Sequence, residues 1–164
     1  MTADDSDARL SGDDAGPPPR PRAVDAYLLI AQSDDIEINT RLSAAQRLVA
    51  LDQQVGIGAY QLIARSGNVL SVLVQIANTL ASLDSKAAAE VLTEALATEL
   101  ALIKSSGVPD DVQRVSSLFG AANRLSQLDL EAGIDVYYQL ATLPFASNYR
   151  LAAADNIARL ESQP

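Results

Sequence analysis

Residues 45–52 read AQRLVALD, and the same phrase recurs as ANTLASLD at 77–84, ANRLSQLD at 122–129 and ADNIARLE at 154–161. The last leucines of the four phrases lie 32, 45 and 32 residues apart. A period of this length is typical of stacked helical pairs, because a single pair cannot bury its apolar face alone. The phrase therefore predicts an all-α chain built from repeated helical pairs.

The composition limits the functions that the chain could serve. Its 164 residues include no cysteine and no histidine, which removes thiolate nucleophiles, the usual zinc ligands and the commonest general base. The net charge of −9 repels phosphate backbones and anionic membranes, and no basic stripe offsets it. We therefore expect a protein that is not an enzyme and has no cofactor, no metal, no nucleic-acid partner and no membrane partner.

Residues 1–22 differ in composition from the rest of the chain. They contain five Asp, several Gly, Ser and Pro, and one large aliphatic residue, Leu10, so we expect a disordered acidic tail. The PPPRPR stretch at 17–22 is interpreted as a stiff spacer, with a polyproline ligand as the alternative. The chain has no secretory signal and no apolar run of about 20 residues, so we expect a cytoplasmic protein.

From residue 23 onward, apolar residues recur with helical spacing, and Gly, Asn, Ser and Pro mark the breaks. Three of the repeated phrases end in an aspartate, namely Asp52, Asp84 and Asp129. Each of these residues would cap the next helix. The acidic doublets at 34–35 and 110–111 also precede predicted helices, and we interpret them as caps rather than metal ligands. One domain over 23–164 is expected, with eight helices in four pairs at approximately 23–51, 53–83, 85–128 and 130–160.

The second helices of the first and last pairs, RLSAAQRLVAL at 41–51 and RLAAADNIARL at 150–160, resemble the second helix of HEAT repeats. At the position of the leading arginine, the other two pairs have Leu73 and Leu118. The resemblance covers residues 23–161 as a pattern and implies a right-handed α-solenoid of four hairpins. It also implies that the second helices line the concave surface, where the usual role of the family is to hold another protein or peptide.

Aligning the four second helices on their last leucines separates core from surface. We number positions back from this leucine, so that position −3 is three residues before it. Positions −3, −6, −7 and −9 are apolar in all four helices and predict a buried stripe. The residues are Leu48, Leu80, Leu125 and Ile157 at position −3; Ala45, Ala77, Ala122 and Ala154 at position −6; Ala44, Ile76, Ala121 and Ala153 at position −7; and Leu42, Val74, Phe119 and Leu151 at position −9.

Positions −1, −4, −5 and −8 share the opposite face and are mostly polar. They form either an ordinary solvated surface or a binding ladder, since amides and arginines hydrogen-bond a peptide backbone or carboxylates well. Each ladder residue is expected to be nearly neutral for folding when changed to Ala. The predicted partner-binding residues are Gln46, Arg47, Asn78, Asn123, Arg124 and Asn156.

Aromatic residues recur in the first helices and cluster in the last pair. Matching positions of the first helices hold Tyr27, Tyr60, Leu92 and Tyr137. This recurrence predicts packing between neighbouring units rather than an aromatic binding ladder. An exposed patch is expected in the last pair, formed by Tyr138, Phe145 and Tyr149.

Three functions remain open at this point. The leading hypothesis is a non-enzymatic scaffold or adaptor that binds a protein or peptide segment on the face of the second helices. One alternative is an accessory module of a larger signalling assembly that acts through the acidic tail. The other is a HEAT-like enzyme or cofactor handler, although the acidic charge disfavours DNA and no residue stands out as a tetrapyrrole anchor.

Overall fold

The structure, a computed structural model, describes residues 21–107 and 111–162 of the chain. Within these ranges the chain forms eight α-helices and no strand, which confirms the predicted all-α class. Residues 1–20 of the predicted tail and Asp110 lie outside the described residues. The helices are α1 (Arg22–Gln32), α2 (Ile38–Leu51), α3 (Gln53–Arg65), α4 (Leu70–Ala81), α5 (Ser85–Ser106), α6 (Val112–Leu128), α7 (Leu130–Thr142) and α8 (Ser147–Glu161).

Each helix packs against the helix that follows it in the chain. The odd-numbered helices also contact one another in the order α1, α3, α5, α7, and among the even-numbered helices α4 contacts α6. Each helical pair therefore lies against the next pair. Charged residues interrupt the apolar sequence even of the longest helix, α5, and no described helix has an apolar stretch that could cross a membrane.

A short joint connects the end of one pair to the start of the next: one residue, Asp52 or Asp129, after α2 and α6, and three residues ending in Asp84 after α4. The backbone amides of Asp52, Asp84 and Asp129 each donate to the carbonyl of the position −3 leucine, at 2.7 Å in all three joints. The carboxylates of the same residues accept hydrogen bonds from backbone amides in the first turn of the following helix, at 3.0 to 3.1 Å. The predicted caps are confirmed. Asp52 and Asp129 each end one helix and begin the next, whereas Asp84 begins α5 and Ser82 ends α4.

Because the joint is so short, the two helices it connects approach closely beside it. A Cβ atom built on Gly56 would lie 2.6 Å from the Cα of Val49, and one built on Gly133 would lie 2.7 Å from the backbone nitrogen of Ser126. The equivalent residue at the middle joint is Ala88, which is fully buried. A small residue four positions after the joint is therefore required for this packing.

In the first pair and in the last pair, an arginine of the second helix forms a hydrogen bond to the first helix of the same pair. Arg41 Nε donates to the carbonyl of Ala31 near the end of α1, at 3.0 Å, and Arg150 Nε donates to that of Ala141 near the end of α7, at 2.9 Å. Asp34 forms an ion pair with the buried Arg41 at 3.0 Å. The prediction that the 34–35 doublet caps α2 is therefore wrong, since the α2 N-cap is Glu37, without a side-chain cap bond. In the second doublet, Asp111 does cap α6.

The buried stripe follows the predicted positions −3, −6 and −7 in the first three second helices, but position −9 is buried only in α2, since Val74 and Phe119 are half-buried. Leu48, Leu80 and Leu125 at position −3 are fully buried. The prediction is wrong for α8, where Leu151 is 63% exposed and Ala154 is also exposed. The reason is that no described helix packs beyond α8, whereas the same positions of α2, α4 and α6 face a following pair.

Leu80→Ala should lower the free energy of unfolding by about 2–5 kcal/mol, because it opens a cavity in the core. Asp84→Ala should cost about 0.5–2 kcal/mol through the lost cap. Denaturant unfolding monitored by circular dichroism measures both changes. Leu62→Ala, at an exposed position, is the control and should stay within about 0.5 kcal/mol of the unsubstituted protein. Equal costs for the two leucines would contradict the assigned core.

Gly133→Ala should destabilise the fold by about 1–3 kcal/mol, because its methyl group would overlap the backbone of Ser126. Gly120 is also helical, but a Cβ there would meet nothing within 4 Å. Gly120→Ala should therefore stabilise by about 0.5–1 kcal/mol, the usual helix-propensity gain. Thermal unfolding of the two variants tests the close approach. A Gly133→Ala variant at least as stable as the unsubstituted protein would contradict it.

Candidate partner-binding surface

The six predicted partner-binding residues lie on the even-numbered helices, at positions −4 and −5. Gln46, Arg47, Asn78 and Asn123 are exposed, whereas Arg124 and Asn156 are half-buried. The buried stripe of the same helices holds these side chains on the outer surface. The structure divides them into one group that is hydrogen-bonded between helices and another beside an open groove.

Four of the six residues belong to a chain of hydrogen bonds across α4, α6 and α8. Arg124 Nε donates to Asn78 Oδ1 at 2.8 Å, which links α6 to α4, and Arg124 Nη1 donates to Gln127 Oε1 at 2.9 Å. Arg159 Nη2 lies 3.4 Å from Asn123 Oδ1 and 3.1 Å from Asn156 Oδ1, which links α8 to α6. These groups therefore already bind one another, and a partner would have to add to this network or replace parts of it.

A groove of about 250 Å³ separates α2 from α4. Its walls carry the polar side chains of Ser43, Gln46, Gln75 and Thr79, and its floor includes Tyr60. Serine and the two glutamines offer donors and acceptors in a row, which suits the alternating groups of a peptide backbone. Ser43 and Gln75 lie on the predicted outer face but are not among the six predicted partner-binding residues. Their shared position, −8, was the available signal.

The floor of this groove contains one of the recurring tyrosines. Tyr60 and Tyr137 are buried, and Leu92 is fully buried, which agrees with the predicted packing role. Burial raises the pKa of Tyr60 above its usual value of 10.0, so its hydroxyl stays neutral and able to donate a hydrogen bond. Tyr27 is only half-buried, and the Arg47 guanidinium lies over its ring at 5.8 Å from the centroid.

The charges of the protein are distributed unevenly between helices. The sequences of α2, α3, α4 and α6 contain no Asp or Glu, although the chain carries a net charge of −9, whereas α8 contains Asp155 and Glu161. Arg41 and Arg114 on these helices are paired with Asp34 and Glu99. No carboxylate of the described residues lies within ion-pair distance of Arg47, Arg124 or Arg159. Arg47 and Arg124 are therefore the two charged side chains of α2, α4 and α6 that form no ion pair within the described residues.

The predicted aromatic patch in the last pair is only partly correct. Tyr138 is 65% exposed, but Phe145 is 5% exposed and belongs to the core. The Tyr149 ring packs between those of Phe119 and Phe145, with centroids 6.1 and 6.4 Å away. Phe145 is buried because the turn after α7 directs it inward against these neighbours.

A second cleft, of about 270 Å³, lies between the α3–α4 turn and α5. Glu94 and Glu99 line it, and each contacts an arginine: Arg65 Nε lies 3.6 Å from Glu94, and Arg114 Nη2 lies 2.7 Å from Glu99. Across the described ranges, no group of three or more acidic residues is arranged to hold a metal ion. The cleft therefore offers paired carboxylates rather than a metal site.

Comparisons of the chain with protein-family models, curated proteins and solved structures found no match.

Asn78 and Arg124 should be energetically coupled, contrary to the expectation that each is neutral for folding. A double-mutant cycle with Asn78→Ala and Arg124→Ala should give a coupling free energy of about 0.5–1.5 kcal/mol, because their hydrogen bond links two helices. Denaturant unfolding of the four proteins measures it. The pair Gln46→Ala and Arg124→Ala is the control and should be additive within about 0.5 kcal/mol. A coupling no larger than in the control would contradict the bond.

Proposed function

We propose that this protein is a non-enzymatic HEAT-like repeat scaffold that binds an extended protein segment along the even-numbered helices. The proposed architecture is a four-unit solenoid, in which each unit is one odd-numbered helix and the even-numbered helix after it. The contacts of each pair with the next support it. The segment would lie across α2, α4 and α6, with the α2–α4 groove as its main binding site.

The observation that carries this proposal is the polar groove between α2 and α4, together with Arg47 and Arg124, which form no ion pair within the described residues. Amides and hydroxyls of the groove can pair with a peptide backbone, while Arg47 and Arg124 can meet carboxylates of the segment. The preferred partner would therefore be an extended segment with acidic side chains.

The binding face can be tested by site-specific photo-crosslinking in the native host. A photoreactive amino acid at Gln46, in the groove, should trap a partner protein that the same probe at Glu90, an exposed residue of α5, does not trap. Both sites are exposed helix positions, so exposure alone does not distinguish them. The trapped segment identifies the peptide for binding measurements. Equal trapping of the same protein from both sites would contradict the assigned face.

Arg47→Ala combined with Arg124→Ala should weaken binding of that peptide by more than about 1 kcal/mol, because arginines are common interface hot spots. Isothermal titration calorimetry measures the change, after circular dichroism has confirmed the fold. Lys86→Ala is the matched control, since it removes an exposed positive charge from α5. Unchanged affinity in the folded double variant would contradict the proposal. Repeating the titration without residues 1–22 tests the alternative in which the acidic tail binds the partner.

A further inference from the structure

The junction between the first two units brings together two complementary sets of positions. The first unit contributes four residues of its even-numbered helix, at positions −12, −9, −8 and −5. The second unit contributes its recurring tyrosine and the residues at positions −8, −7 and −4 of its even-numbered helix. We call these the leading set and the receiving set. In the α2–α4 groove the leading set is Asn39, Leu42, Ser43 and Gln46, and the receiving set is Tyr60, Gln75, Ile76 and Thr79.

The later junctions use contacts between the same positions. At the second junction, Asn78 at position −5 accepts the hydrogen bond from Arg124 at position −4 of the next unit. At the third junction, Phe119 at position −9 packs against Tyr137 of the next unit, with ring centroids 6.0 Å apart. Position −5 thus meets position −4, and position −9 meets the recurring tyrosine.

The first unit presents a receiving set that no described unit occupies. A cleft of about 340 Å³ there is lined by Tyr27, Ser43, Ala44 and Arg47. These residues are the counterparts of Tyr60, Gln75, Ile76 and Thr79 in the groove described above. Tyr27 is correspondingly half-buried, whereas Tyr60 is buried.

The last unit presents a leading set that no described unit covers. Its members are Asn148, Leu151, Ala152 and Asp155 of α8. Leu151 is 63% exposed, whereas its counterpart Leu42 is only 8% exposed within the first junction. Asp155 at position −5 is exposed as well. The first and last of the described units therefore carry the two halves of one internal junction.

We propose that copies of this chain associate head to tail through these two ends. Leu151 of one copy packs against Tyr27 of the next copy, as Phe119 packs against Tyr137 inside the chain. Asp155 of the first copy pairs with Arg47 of the second, in the arrangement of Asn78 and Arg124. Opposite charges at these two positions favour this orientation over an end-to-end contact between identical surfaces. The inference rests on the proposed repeat architecture and requires no partner protein.

A head-to-tail contact of this kind joins two different surfaces, so each bound copy leaves one free end of each type. Such contacts continue into longer assemblies unless the rotation between copies closes a ring. The full chain should therefore show an average mass that rises with concentration, rather than a fixed monomer or dimer. Sedimentation velocity up to about 1 mM, where weak contacts are populated, measures this.

Two single substitutions block one end each. Leu151→Lys should disable the last unit, and Thr40→Lys should disable the cleft of the first unit, which Thr40 lines at an exposed position. Each variant alone should remain a monomer with unchanged circular dichroism. Mixed together, they should form a complex of one copy of each, because each retains the end that the other needs. A dimer between identical surfaces would not show this complementation.

Charge reversal tests the pairing of Asp155 with Arg47. Arg47→Glu and Asp155→Arg should each weaken self-association at least about tenfold, because both place like charges at the junction. The chain carrying both substitutions should recover most of the lost association. A full chain that stays monomeric at about 1 mM, or one whose association is unaffected by Leu151→Lys and by the reversals, would overturn the proposal. Partner binding by the monomeric Leu151→Lys variant remains measurable, so the two proposals can fail separately.

Discussion

The whole arrangement depends on the aspartate joint between consecutive pairs. Asp52, Asp84 and Asp129 adopt nearly the same backbone conformation, with φ between −154° and −145° and ψ between 100° and 106°. The amide of each residue bonds the last turn of one helix while its carboxylate caps the next helix, so this local conformation is repeated at all three joints. The joint also limits the residue four positions after each aspartate to a small side chain. These residues are Gly56, Ala88 and Gly133.

Local signals explain why the helices could be predicted from the sequence. A leucine at position −3, a capping aspartate and helical spacing act within about one turn of the chain, so a repeated phrase carries them wherever it occurs. The predictions for Leu151 and Phe145 were wrong for a different reason, because the burial of each side chain depends on which other elements pack against it. Position −9 is apolar in every unit, so it cannot indicate that Leu151 has no following unit among the described residues.

The candidate surface was predictable as a set of outward positions but not as a set of contacts. Asn78, Arg124 and Asn123 look equivalent to Gln46 in the alignment, yet these three side chains form hydrogen bonds between helices. Asn156 is bonded within α8 to Arg159, which bridges to Asn123. Whether neighbouring even-numbered helices are bridged or separated by a groove depends on distances that no sequence position encodes. The sequence therefore indicated the face, and the structure located the α2–α4 opening in it.

The chemistry of the outer positions changes between the interior and the ends of the chain. Inside, position −5 is the neutral Asn78, and its bond to Arg124 joins units that the chain already holds at high effective concentration. In the first and last described units, these positions are Arg47 and Asp155, which would meet only in the proposed contact between two copies. A contact between separate copies needs orientation and a faster encounter, and opposite charges supply both. The same positions therefore need only an amide within the chain but benefit from an ion pair between chains.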